Sequence, residues 1–320
     1  MTSPTSSRTS FYWGCLLIAV AAIVVFYPVW FAEFTWDDVS TISVDNLHPS
    51  GSLFRIWCKP SLAILDDYMP LNYTTNWVEY RLWGMNPRGY HLVNLALHIL
   101  NAMLLFCLLR RIKIQGALLV ALLFTIHPMQ VSSIAWAVQR KDLLYVSFYL
   151  LAFLGWLRFE KKETVGNYLV VFALFAAAML SKRMALTWPL AALTFCWWRT
   201  GQLEPRRVLQ LTPLFIFAIA LSYIVPLSRA FSVGAVALNS DVPSLSLLQK
   251  FLLAGNNFIF YIGKLLWPLE HVPIYPLWKI DPTYPLLYLA PISIAAGLGA
   301  LWMLRNRIGR GPFAAVAFYG

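Results

Sequence analysis

The stretch FYWGCLLIAVAAIVVFYPVWFA, Phe11 to Ala32, carries no charged side chain and predicts a membrane-spanning helix. At 1.5 Å per residue it reaches across a bilayer core of about 30 Å. Hydrophobic residues make up 59% of the chain and charged residues 12%, which is far from the composition of a soluble domain. Several further uncharged runs of about 15–25 residues lack the alternation of barrel strands. The sequence therefore predicts an all-α polytopic membrane protein.

The net charge of +11 is explained by basic residues at the ends of apolar runs and does not indicate a nucleic-acid partner. Lysines and arginines cluster at the ends of alternate apolar runs: Arg110, Arg111 and Lys113, then Arg158, Lys161 and Lys162, then Arg305, Arg307 and Arg310. Because short basic segments stay in the cytoplasm, the N-terminus is predicted to be cytoplasmic. Two cationic pairs, Arg140-Lys141 and Lys182-Arg183, then fall on the outer side.

The predicted first outer loop, residues 33–89, opens with the carboxylate pair Asp37-Asp38 beside Trp36. Two adjacent anions in partly dry surroundings are unfavourable unless a cation or a reaction uses them. A solvated loop start is the alternative interpretation. The loop also contains Asp66-Asp67 and is rich in Trp and Tyr, which suits short interfacial helices. Asn72-Tyr73-Thr74 fits the N-glycosylation pattern.

A row of polar residues lies in the second predicted span, Tyr90 to Leu109. His91, Asn94, His98 and Asn101 follow one another in steps of three, four and three, so they share one helix face. Hydrogen bonding between helices explains such a row, and a wet cavity is the alternative. His91 is nearest the outer end and is therefore the member expected to touch a ligand.

The remaining apolar runs complete a single predicted domain, residues 1–320. They cover 115–126 (broken by His127-Pro128), 143–157, 167–180, 184–198, 208–227, 251–267 as a re-entrant or interfacial segment, and 285–304. The short runs on either side of Lys182-Arg183 place these cations near the outer surface, where they snorkel to lipid or bind a specific phosphate. The last apolar run stops at Gly320, so the chain is expected to be incomplete.

Carboxylates, a histidine and cationic pairs near one membrane surface suit a particular kind of chemistry. Carboxylates can deprotonate a hydroxyl or hold a divalent metal, and cations can hold a phosphate. Glycosyl transfer from a lipid-linked sugar phosphate to a hydroxyl needs both functions, and a one-step displacement would invert the sugar. The residues predict no dedicated metal site, and the cofactor stays open.

Ordered motifs give a resemblance that covers most of the chain. They are Phe34–Asp38, Tyr68-Met69-Pro70-Leu71, Gly89-Tyr90-His91, His127-Pro128 with Trp136, Arg140-Lys141-Asp142, Ser181-Lys182, and Tyr261–Lys264 with Trp267-Pro268 and Tyr275-Pro276. The sequence resembles the membrane half of the tetratricopeptide-repeat-linked O-mannosyltransferase family and its bacterial relatives, in the GT-C class. The resemblance implies a GT-C-like helical bundle in the bacterial inner membrane or the endoplasmic reticulum. Its site would face the periplasm or lumen, its donor would be a polyprenyl-phosphate sugar such as mannose, and its acceptor a protein or glycan hydroxyl.

The resemblance also implies roles for individual residues. Asp37 would be the catalytic base and Asp38 its partner. Six residues would contact the donor phosphate or the acceptor: His91, His127, Arg140, Lys141, Lys182 and Arg183.

Two positions depart from the family pattern. Ser132 stands where the family has a glutamate, and Arg183 stands where a proline is common. The first departure leaves open a catalytically weakened relative that acts as a non-enzymatic membrane binding or partner subunit. A transporter using the polar row has no specific support.

Overall fold

The computed structural model describes residues 4–43, 53–58, 68–224, 245–269, 272, 275–276, 278 and 280–319. These residues contain helices and no strand, which confirms the all-α prediction. The helices are α1 (Pro4–Val25), α2 (Asp38–Ser43), α3 (Leu53–Cys58), α4 (Pro70–Trp83), α5 (Pro87–Arg111), α6 (Ala117–Ile126), α7 (Val131–Ala135), α8 (Arg140–Lys161), α9 (Val165–Ser181), α10 (Trp188–Thr200), α11 (Pro205–Ser222), α12 (Leu247–Leu266), α13 (Leu289–Leu304) and α14 (Gly311–Tyr319).

Several helices are long and apolar enough to cross a membrane. Three candidate spans are Pro87–Arg111, Ala137–Lys161 and Pro285–Leu304, so the last two begin in the short turns before α8 and α13. A fourth is the bent pair Ala117–Ile126 and Pro128–Ala135, which meets at 52°. The bend lies at His127-Pro128, as predicted, because proline cannot continue the hydrogen bonding of a helix.

The first apolar run differs from its prediction. The helix ends at Val25, and a 3-10 turn, Tyr27–Phe31, replaces the last part of the predicted span. Pro28 explains the difference, since its ring lacks an N–H and disfavours helical backbone at the preceding residue. The short runs around Lys182 are confirmed as α9 and α10, separated by the 3-10 turn Arg183–Thr187. The segment predicted to be re-entrant or interfacial forms the amphipathic helix α12.

The described residues fall into two compact units. The first runs to Trp188 and includes 214–224, and the second comprises 189–213 and the described residues from 245 onward. In the first unit, α1, α5 and α6 pack through Ile18, Ala102 and Ala121, which are all fully buried. A second cluster, formed by Ile42, Tyr90, Ala137 and Val138, lies at the N-terminal end of α5. It seats α2 against the turn that precedes α8.

In the second unit, α12 packs closely on α13. A Cβ at Gly255 would lie 2.9 Å from the ring of Pro291, so only glycine allows this approach. The side-chain amide of Asn256 donates to the carbonyl of Leu287 (2.9 Å). At the other end of α13, Trp302 stacks on Trp197, with ring centroids 5.6 Å apart.

The predicted first outer loop, residues 33–89, contains an acidic pair and a glycosylation pattern. The pair Asp66-Asp67 lies outside the described residues. Asn72 is described and is only 2% exposed, on the packed face of α4. A glycan cannot be accommodated there in the folded chain, so the glycosylation pattern is misleading.

Candidate active site

Asp38 is the anchored member of the carboxylate pair. It starts α2 and is 0% exposed. One carboxylate oxygen accepts from the backbone N–H of Val138 (2.9 Å), and the other accepts from those of Thr35 (2.9 Å) and Ala137 (3.4 Å). Backbone donors stabilise a buried carboxylate strongly. Asp38 therefore ties the start of α2 to the segment that precedes α8.

Asp37 has a different environment although it is the next residue. It is half-buried, and its Oδ1 accepts from the indole N–H of Trp136 (2.9 Å). Among the described residues, no group bonds its Oδ2. The preceding residue, Trp36, has a left-handed backbone (φ 47°) and meets Trp136 edge to face at 4.7 Å. Such a conformation costs a non-glycine residue about 1–2 kcal/mol and is concentrated at functional sites.

The polar row on α5 divides into structural members and His91. Asn94 donates to the carbonyls of Ile134, Trp136 and Ala137, and its own carbonyl oxygen accepts from Arg140. His98 bonds the carbonyl of Thr125 (2.9 Å), and Asn101 bonds the carbonyl of Leu143 (2.9 Å). These three side chains join α5 to its neighbours, as the helix-bonding interpretation predicts.

Of the polar row on α5, His91 is the member that interacts with the carboxylate pair. It is 0% exposed, and it interacts with the carboxylate of Asp38 and with the backbone of Glu33 and Ile134. Neither ring nitrogen has a hydrogen-bond partner of good geometry among the described residues. The structure therefore brings His91 to the carboxylate pair but seals it from solvent.

Arg140 is buried beneath the same site, with 0% exposure. Its guanidinium forms an ion pair with Glu79, donates to Asn94 Oδ1 (2.9 Å) and donates to the carbonyl of Tyr90 (2.8 Å). All three nitrogens are thus engaged with the protein. This placement favours a positioning role for Arg140 over contact with a donor phosphate.

Sequence reasoning missed Glu79 and the buried face of α4. Asn72, Asn76 and Glu79 follow one another in steps of four and three and are all at most 5% exposed. That spacing was the available signal, but the mixed polarity of α4 hides which face is packed. Within the described chain, both side-chain polar atoms of Asn76 and the side-chain oxygen of Asn72 lack a hydrogen-bond partner.

The other predicted cations lie at the start of α8 and the end of α9. Lys182 forms an ion pair with Asp142, and both side chains are about a quarter exposed. Lys141 is half-buried and Arg183 is exposed. The ion pair brings Lys182 to the first turn of α8, which directly follows the segment held by Asp38. Lys141 and Lys182 are therefore the predicted cations that are both near this segment and open to solvent.

His127 and Ser132 lie at the bend between α6 and α7. His127 Nδ1 accepts from the N–H of Met129 (3.2 Å) and caps the turn that follows. The exposed hydroxyl of Ser132 donates to the carbonyl of Met129 (3.4 Å). Trp136, which bonds Asp37, directly follows α7, the helix that contains Ser132. No group of three or more His, Cys, Asp or Glu side chains in the described ranges is arranged to hold a metal ion.

Comparison with known proteins gives one family and a set of relatives. Residues 70–229, half of the chain, match the family model described as dolichyl-phosphate-mannose-protein mannosyltransferase. The chain is 31% identical over 184 residues to the protein O-mannosyl-transferase Tmtc1 of Drosophila melanogaster, covering 54% of this chain and 21% of that protein. It is 32% identical over 208 residues to TMTC4 of Homo sapiens (55% and 28%) and 30% identical over 186 residues to TMTC3 of Mus musculus (54% and 20%).

The matches cover less than a third of each of these relatives. No solved structure gives a significant match. The family match begins at residue 70, so it contains Glu79, His91, Arg140 and Lys182. The pair Asp37-Asp38 precedes it.

Proposed function

Because the chain belongs to the family described as dolichyl-phosphate-mannose-protein mannosyltransferases, we propose that it is a glycosyltransferase with Asp37 as its base. The donor in this proposal is a polyprenyl-phosphate sugar, mannose or a similar hexose. The acceptor is a hydroxyl group, that of a protein serine or threonine. The site faces the periplasm or the lumen of the endoplasmic reticulum, and the N-terminus is cytoplasmic.

The difference between the two adjacent carboxylates is the observation that supports this proposal most directly. The carboxylate of Asp38 accepts hydrogen bonds from three backbone N–H groups, whereas Oδ2 of Asp37 has no hydrogen-bond partner among the described residues. A carboxylate can accept a proton only through an oxygen that a substrate can reach. Asp37 meets this requirement, and Asp38 positions the backbone on which Asp37 lies.

The proposed step is a single displacement at the anomeric carbon. The acceptor oxygen forms the new bond to this carbon as the bond to the phosphate oxygen breaks, and the bonding electrons leave with the phosphate. Asp37 Oδ2 takes the acceptor proton. Attack from the face opposite the leaving group inverts the anomeric centre.

The leaving phosphate needs positive charge at its side of the sugar. Lys141 and Lys182 are proposed for this role, because Lys141 lies in the first turn of α8, Lys182 is paired with Asp142 in that turn, and both are partly exposed. The ion pair with Asp142 would hold Lys182 in place and leave it two further N–H donors. Arg183 and His127 are proposed as outer contacts of the acceptor, and His91 as a buried support behind the pair.

A transfer assay with the full chain in membranes tests the proposal. Membranes receive radiolabelled polyprenyl-phosphate mannose, and transfer to protein is measured for wild type, Asp37→Asn and the control Glu163→Gln, which removes an exposed carboxylate elsewhere. Asp37→Asn retains an oxygen for the Trp136 N–H but loses the base, so transfer should fall by about 10²–10⁴-fold. Glu163→Gln should transfer like wild type.

Equal transfer by Asp37→Asn and wild type would overturn the assignment of the base. If wild type is inactive with mannose, the same comparison is repeated with polyprenyl-phosphate glucose and galactose. Inactivity with every sugar would overturn the proposed enzyme.

A second candidate function rests on Ser132. The family resemblance implies a glutamate at this position of α7, the helix that is followed by Trp136, the partner of Asp37. If the glutamate is needed for transfer, the chain would instead be a membrane binding or partner subunit. Transfer that appears only in Ser132→Glu would support this second candidate.

A further inference from the structure

A cationic cavity lies in the second compact unit, at the C-terminal ends of α10 and α13. Its volume is about 290 Å³, and it opens to the surface. Its lining residues are Trp198, Arg305, Asn306, Gly309 and Arg310. In the liquid, about nine or ten water molecules at ~30 Å³ each occupy such a volume. The cavity therefore has room for a phosphate group with part of a headgroup.

Both arginines in the cavity are held in place yet keep donors for a ligand. The Arg305 guanidinium lies 4.0 Å above the ring of Trp302 and donates to its carbonyl (2.5 Å). The Arg310 guanidinium donates to the carbonyl of Trp198 (3.5 Å). These contacts use few of the five N–H donors of each side chain. Two fixed guanidinium groups suit the planar, two-point recognition of a phosphate.

Capping of helix ends does not account for this much positive charge. The C-termini of α10 and α13 contribute about −0.5 each, so two arginines leave about one positive charge in excess. Among the described residues, no carboxylate lines the cavity. From residue 282 to Gly320 the sequence holds Arg305, Arg307 and Arg310 and no acidic residue.

The backbone around the cavity is shaped to seat Arg310. Gly201, just past the end of α10, has a φ of +80°, and a Cβ there would lie 2.3 Å from the Arg310 guanidinium. Gly309, in the cavity wall, has a φ of +84°. Both positions require glycine for their backbone, and Gly201 also leaves the space that the guanidinium fills.

Aromatic side chains beside the cavity are those expected at a membrane surface. Trp197, Trp302 and Phe313 pack together, with centroid distances of 5.1–5.6 Å. Tryptophan favours the headgroup region, and basic side chains between apolar helices attract anionic lipids. We propose that this cavity binds a phosphate group, either that of an anionic phospholipid headgroup or free phosphate. The site is independent of the proposed sugar transfer.

The test measures binding to the purified full chain by native mass spectrometry. Three probes are titrated: short-chain phosphatidylglycerol, short-chain phosphatidylcholine and inorganic phosphate. The variants are Arg305→Gln, Arg310→Gln and the control Arg307→Gln, which removes the same charge from the same segment outside the cavity lining. Circular dichroism checks folding, and Arg305→Gln decides the result if the loss of Arg310 disturbs the end of α10.

Phosphatidylglycerol should bind with preference over phosphatidylcholine. Arg305→Gln and Arg310→Gln should each weaken its binding about tenfold or more, because each removes charge-assisted hydrogen bonds, whereas Arg307→Gln should not. The same pattern with inorganic phosphate would support the site and assign it to free phosphate. The proposal would be overturned if all three variants weakened binding equally. It would also be overturned if neither phosphatidylglycerol nor inorganic phosphate bound more tightly than phosphatidylcholine.

Discussion

The buried ion pair between Arg140 and Glu79 should be the strongest single polar contribution to the stability of the first unit. Arg140 is 0% exposed and Glu79 5% exposed, so Arg140→Met leaves the Glu79 carboxylate without its cation. Breaking a buried pair on one side costs about 3–5 kcal/mol. Arg140→Met also removes the bonds to Asn94 and Tyr90, which keeps the expected loss toward the upper end.

A double-mutant cycle separates the pair from its surroundings. The double variant Glu79→Leu/Arg140→Met has no unpaired charge. Its unfolding free energy should therefore be about 2–3 kcal/mol higher than the value predicted by adding the losses of the two single variants. Neutral hydrogen bonds between membrane helices couple by only about 0.6 kcal/mol on average. A charged pair with no solvent access should exceed that value.

The measurement is the unfolding free energy of the full chain in mixed micelles, titrated with sodium dodecyl sulfate and followed by circular dichroism. Arg88→Met is the control, because Arg88 is exposed in the first turn of α5 and its loss should change stability by no more than about 0.5 kcal/mol. A loss below about 1 kcal/mol for Arg140→Met, or a coupling at or below about 0.6 kcal/mol, would refute the reasoning.

Three further predictions concern individual hydrogen bonds. Asp38→Asn should lower the unfolding free energy by about 2–3 kcal/mol in the same titration, since an amide nitrogen would face backbone donors; a stable variant would show that Asp38 is not an anchor. Trp136→Phe removes the N–H donor to Asp37 and should lower kcat for sugar transfer about tenfold while leaving KM similar, and a change in KM alone would place Trp136 in acceptor binding. Two hydrogen bonds from Thr283 lower the pKa of Asp281, so the stability that this carboxylate adds is present above its unfolded pKa and is lost as pH falls through the folded value. Thr283→Val keeps the backbone bond and removes the hydroxyl bond, so it should raise the pKa of Asp281 part of the way toward its usual value, measured by carboxyl NMR; an unchanged pKa would show that the hydroxyl bond does not contribute.

The positions of the helices could be predicted because the length of an apolar run is a direct physical requirement of the bilayer. The predicted span 90–109 became α5, Pro87–Arg111, and the break at His127-Pro128 became the 52° bend. The first span was predicted too long because the apolar run continues past Pro28, where the helix does not. Apolar composition shows what can enter a membrane, but backbone chemistry decides where a helix ends.

The candidate site could be predicted only in part, since its environments depend on contacts distant in sequence. Asp37 and Asp38 are indistinguishable in sequence, yet one is bonded by backbone groups about 100 residues away. Glu79 gave no signal of its own because its partner lies 61 positions later on another helix. The roles assigned to the predicted site residues stay predictions until transfer is measured.

The short helix before the bend has a consequence for how the chain is made. At 1.5 Å per residue, the ten residues of α6 reach about 15 Å, half of the bilayer core, so α6 cannot be threaded through the membrane as an independent unit. Its buried face meets α1 and α5, and His98 reaches the backbone of Thr125 near its end. Because α1 and α5 precede α6 in the chain, we expect both to be in the membrane when α6 is made and to supply the surface on which it packs.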